Sequence, residues 1–213
     1  MTKHIFALFF FVFLSKITFS QSQYFVREED KNTGKPLLRG KITFDNIKEE
    51  STCSWFEEGA EAYTPNMEVI NELSKDWKNY RFVVFAGTWC EDTQDLLPKF
   101  YRTITDANIP IYAIEMYGVN RNKQSLQQEN KYYKIERVPT IIIMHQMREV
   151  GRIVETVNQS IEQDILVIMQ KDIQYLEAKK IEDERINEER KAEEIRQMKP
   201  RERKRYYKAQ PFY

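Results

Sequence analysis

Cysteine and histidine are scarce in this chain, whose 213 residues hold only two of each. A zinc centre draws its ligands largely from these two types, so too few soft donors are present and no metal is expected. Neither sign of charge is in excess, with 33 Lys and Arg against 33 Asp and Glu. Nucleic acid is therefore not expected as the main partner. An apolar run of the ~20 residues that span a bilayer is also missing. The longest, "IFALFFFVFL" at 5–14, follows the basic start "MTKH" and precedes the small and polar residues "TFSQSQ". That order is the order of a secretory signal peptide. It sets the expectation of cleavage after Ser20, export, and a periplasmic or secreted location. Without residues 1–20 the chain loses Lys3, Lys16 and no acid, and keeps Cys53, Cys90 and a single histidine, His145. Two cysteines in an oxidising compartment allow one disulfide, although a chain of this size does not need one to fold.

What is present begins to show periodicity after residue 65. Residues 21–65 are mixed, with the turn-rich "NTGKPLLRG" and a strand candidate "KITFDNI", and read as an N-terminal extension. Met67, Ile70, Leu73 and Trp77 then recur at helical spacing behind Thr64-Pro65. "RFVVFAG" is a short continuous apolar run, the signature of a strand buried on both faces. A corner and a helix to about Thr105 follow, then the strand "IPIYAIEM", a polar helix over "NRNKQSLQQENKYYKI", and two strands in "VPTIIIMH" and "REVGRIVET". A last helix begins near Ser160 with the stripe Ile161, Ile165, Ile168, Ile173 and Leu176. This succession implies an α/β fold, a central mixed sheet flanked by helices.

After Leu176 the composition changes. Residues 177–213 read as a tail with a long charged helix that lacks a sustained heptad seam and carries opposite charges three apart, such as Glu182 with Arg185 and Glu193 with Arg196. Pro200 is expected to end that helix. The closing "RERKRYYKAQPFY" mixes cations with aromatics and is a candidate contact for an anionic surface.

The chemistry concentrates in "FAGTWCEDTQDLLPKF", residues 85–100, where a buried strand delivers Trp89 and Cys90 to the start of a helix. Unsatisfied N–H groups at a helix N-terminus favour a thiolate, while Glu91 and Asp92 oppose it. Residues 66–176 resemble a thioredoxin-like domain. The likeness is carried by the "TWC.D" corner, the "VPT" strand and the "GRIVE" hairpin in that order, a combination met in exported bacterial thioredoxin-family proteins. The resemblance implies that Cys90 is the nucleophile. It also implies that Pro139 is the family's cis-proline, with Val138 offering backbone to a partner and Trp89 and Thr93 shaping the pocket beside Cys90. No cofactor is implied, and the partners would be protein thiols or disulfides, or small thiols.

Two departures from that family stand out: Thr93 takes the place of the resolving cysteine, and Val84 that of a buried acid that serves it. An adduct on Cys90 then has no escape by attack from the next turn. Three roles remain open for the site. It is a monothiol released by an external thiol, a site resolved by the distant Cys53, or a thiol peroxidase, for which the companion residues are not identifiable. Against all three stands a non-catalytic interaction module of the cell envelope built on the same fold. His145 and Gly151 are read as structural.

Overall fold

The apolar run at the centre of the sequence becomes the axis of the fold. In the computed structural model, which describes residues 24–209, it forms strand β3 within a six-stranded sheet. The strands are β1 (Phe25–Glu29), β2 (Pro36–Ile42), β3 (Tyr80–Ala86), β4 (Ile114–Gly118), β5 (Thr140–His145) and β6 (Arg148–Val154). They lie in the order β1-β2-β4-β3-β5-β6. Strand β3 runs parallel to β4 and antiparallel to β5, and the remaining pairs are antiparallel, so the sheet is mixed. Alternation along β3 sends Phe82, Val84 and Ala86 to one face and Val83 and Phe85 to the other. Both faces are covered, which is why the strand reads as an unbroken apolar run.

The helices are α1 (Phe44–Lys48), α2 (Trp55–Ala62), α3 (Met67–Asp76), α4 (Glu91–Asp106), α5 (Glu129–Tyr132), α6 (Ile161–Gln197) and α7 (Pro200–Ala209). Phe44, Phe56, Leu73, Phe100 and Ile165, one from each of α1, α2, α3, α4 and α6, join Phe82 and Val84 in the larger core. The second face is covered by irregular chain after β4, through Val119, Ile135 and Val138 packed on Val83, Phe85 and Ile142. Among the described residues, no helix is long and apolar enough to cross a membrane. The segment read as a signal peptide lies outside the described residues.

The division at residue 65 does not separate folding units. Within the segment 21–65, read as an extension, residues 25–62 supply two strands of the sheet and two helices of the core. Within "KITFDNI" the strand stops at Ile42, because Thr43 caps α1: its Oγ1 accepts from Asn46 N–H at 3.2 Å while Asn46 Oδ1 accepts from Thr43 N–H at 2.9 Å. The helix expected over 120–135 shrinks to the four residues of α5. Asn120 Oδ1 accepts instead from Asn122 and Gln124 N–H, and Lys123 and Gln128 take left-handed backbone. At the other end α6 passes residue 176 without a break and stops at Gln197, ahead of Pro200 as expected, and Pro200 then opens a further helix. Gly151 is structural: a Cβ there would meet Ile168 Cγ2 at 2.7 Å, so its lack of a side chain lets α6 lie against β6.

Candidate functional site

Cys90 is the N-cap of α4, with extended backbone (φ −98°, ψ 125°). A helix start of this kind leaves N–H groups unfilled, and Cys90 does not turn its side chain onto them. Its Sγ donates instead to the carbonyl oxygen of Val138 at 3.2 Å. The Val138–Pro139 peptide bond is cis. Thus Cys90 meets Val138, 48 residues further along the chain, and its neighbour Pro139 at one corner of the sheet, with Cys90 half-buried against Val138 and its surroundings.

Trp89 is fixed from two sides. Its indole N–H donates to Val119 O at 2.8 Å, and Gly87 allows the ring to approach, since a Cβ there would stand 2.8 Å from Trp89 Cε2. Thr93 is fully buried, and its Oγ1 accepts from Gly87 N–H at 3.2 Å. The hydroxyl therefore braces the turn between β3 and α4. Glu91 and Asp92, the two acids of the first turn, are exposed. Val84 is buried in the larger core.

In comparisons with known proteins, no family model and no curated protein matches this chain. Solved structures give weak likenesses. One is a protein of unknown function from Pseudomonas aeruginosa and another an HIV epitope-scaffold. Each is 16% identical with a TM-score of 0.45, covering 62% of this chain and 93% of its own. A similarity of that size carries no argument about the site, whose chemistry is read from its own residues.

The structure does not bring Cys53 to this corner. Cys53 is 3% exposed in the larger core, among the helices on one face of the sheet, whereas Cys90 packs against the cluster on the opposite face. Both thiols are free. Burial, and secondarily the charge of Glu50, pushes the Cys53 thiol up to about 11, so it is protonated and poorly nucleophilic near neutral pH.

Two residues that sequence reading missed complete the site. The Arg121 guanidinium lies over the Trp89 ring, 4.9 Å from its centroid, and Lys123 lies 5.8 Å from the same ring. Arg121 is held by a bidentate ion pair with Asp30, both contacts 2.8 Å, and Asp30 also accepts from Thr33 Oγ1 at 2.7 Å. The Arg121 bonds, then Thr33, hold the Asp30 carboxyl well below the usual carboxylate range. Arg121 in turn is raised, first by its bonds to Asp30. Asp30 stands at the turn between β1 and β2, 91 residues before Arg121, so the N-terminal hairpin reaches the cysteine corner through one arginine. A cavity of about 350 Å³ opens beside this pair, lined by Glu28, Asp30, Asn120 and Arg121 among others, but not by Cys90. Among the described residues, no group of three or more metal-ligating side chains exists.

Proposed function

We propose that this chain is a thioredoxin-like protein that exchanges thiols and disulfides through Cys90 alone. One observation carries the reading: the only part-exposed thiol sits at the head of α4 against the carbonyl of Val138, next to cis Pro139. In the exchange, the Cys90 thiolate attacks one sulfur of a partner's disulfide. That S–S bond breaks, a Cys90–partner disulfide forms, and the displaced sulfur leaves as a thiolate that takes up a proton. Val138 and Pro139 present backbone and Trp89 a rigid wall to the partner, while Thr93 offers no thiol for release. An external thiol then attacks the mixed disulfide and frees Cys90.

The partners proposed are protein disulfides or small thiols met after export, the export itself resting on residues 1–20 of the sequence. With Cys53 buried on the other face, the monothiol route is favoured over internal resolution. Turnover of a model disulfide with added thiol tests the activity, with Cys90→Ser as the inactive control. A wild-type rate equal to that control refutes it and leaves the non-catalytic interaction module.

A further inference from the structure

The residues after α6 take no part in the exchange site, yet they form a surface of one sign. Helix α7 holds five cations, Arg201, Arg203, Lys204, Arg205 and Lys208, against one acid, Glu202. At 3.6 residues per turn, Arg201, Lys204, Arg205 and Lys208 (positions i, i+3, i+4 and i+7) share one face within an arc of about 100°. All four are exposed. Arg203 and the half-buried Tyr206 lie on the opposite side, where the Arg203 guanidinium donates to Ile195 O at 2.9 Å and Met198 O at 3.2 Å and so closes the carbonyl end of α6.

The ion pairs of this region all lie on α6: Lys180 with Glu184, Arg185 with Glu182 and Glu189, and Arg196 with Glu193. Glu202 instead accepts from Lys199 N–H at the start of α7. The four cations of the outer face are thus uncompensated among the described residues, and residues 1–23 and 210–213 contain no Asp or Glu that could reach them. From Glu177 to Gln197, α6 is almost wholly exposed and carries α7 about 30 Å beyond the last core contacts.

We propose that this outer face of α7 docks the protein on an anionic lipid bilayer. Four exposed cations along one face of a helix match an array of phosphate headgroups. The arc of the four cations carries no aromatic ring on which a nucleic-acid base could stack, since Tyr206 is on the packed side and the exposed Tyr207 falls about 60° outside the arc. The helix also has no apolar side to insert, so the contact is electrostatic and salt-sensitive.

The test is co-sedimentation of the full chain with phosphatidylcholine vesicles, with and without phosphatidylglycerol. Every variant shares the apolar N-terminal segment, so the readout is the difference that phosphatidylglycerol makes. Wild type gains binding on the anionic vesicles at low salt. Arg201→Gln with Lys204→Gln weakens that gain about 25-fold, at about fivefold per charge, and the fourfold variant adding Arg205→Gln and Lys208→Gln abolishes it. Lys179→Gln, Lys180→Gln, Arg190→Gln and Lys191→Gln together remove equal charge from α6 and leave the binding unchanged. The proposal is overturned if the fourfold α7 variant binds like wild type while its far-ultraviolet circular dichroism is unaltered. It is equally overturned if the α6 variant loses as much, or if wild type prefers a DNA oligonucleotide to the vesicles.

Discussion

Asp172 is the acid on which the seating of α6 depends. Its side chain is 1% exposed, yet it accepts from Tyr80 Oη at 3.1 Å, meets His145 Nδ1 at 2.5 Å and is ion-paired to Arg148. One carboxylate therefore ties α6 to the start of β3, the end of β5 and the start of β6. Asp172→Asn keeps the shape but removes the charge and turns an amide N–H₂ toward groups that themselves donate. Breaking a buried pair by removing one partner costs about 3–5 kcal/mol. Arg148 is roughly half exposed and keeps its water, so the lower end, about 3 kcal/mol, applies. For a chain of this size that is a fall in Tm of about 6–12 °C. The effect has a pH signature. Burial alone would raise the Asp172 carboxyl, but the bonds from His145, Arg148 and Tyr80 hold it below its ordinary value. A carboxyl lowered by folding stabilises above its unfolded value of about 3.9 and loses that contribution as pH falls through the folded one. Thermal unfolding followed at pH 7 and in acid should therefore show the two proteins apart at neutrality and converging below about pH 4. A fall of less than about 2 °C at pH 7, or a gap that stays constant into acid, would refute the reasoning.

The remaining expectations concern the cysteine corner. Arg121→Gln should red-shift Trp89 emission, followed by steady-state fluorescence, as the ring loses its cover. Cys53→Ser should leave the lifetime of a Cys90 adduct unchanged in a mass-spectrometric chase, since Cys53 lies on the other face of the sheet. Thr93→Cys should shorten that lifetime, though only in part, because Val84 supplies no proton acceptor for the new thiol.

How much of this could be read from the sequence depended on how local each signal was. Strand β3, the corner at Trp89-Cys90, the hairpin of β5 and β6 and the start of α6 each carry their pattern within a dozen residues, and each lies close to where it was expected. Strand β1 did not stand out because "FVREE" alternates weakly and makes sense only beside β2. The polar stretch after β4 has helical composition, yet asparagine side chains bond their own backbone there and break it into turns. The acids in the first turns of α6 carry no local sign of their partners, yet Glu162 accepts from Tyr63 Oη at 2.7 Å and Asn66 N–H at 3.0 Å, and Asp172 holds the cluster above. Arg121 and Asp30 lie beyond any local pattern, since their meeting depends on how the first hairpin lies against the loop after β4.

The central claim is that Cys90 is the nucleophile and works without an internal partner. Incubating the folded wild-type chain with oxidised glutathione near neutral pH, followed by intact-mass and peptide analysis, addresses it most directly. One glutathione on Cys90, none on Cys53, and an adduct that persists until an external thiol is added is the result expected. A Cys53–Cys90 disulfide, or a Cys90 that stays unmodified while the denatured chain reacts, would contradict it.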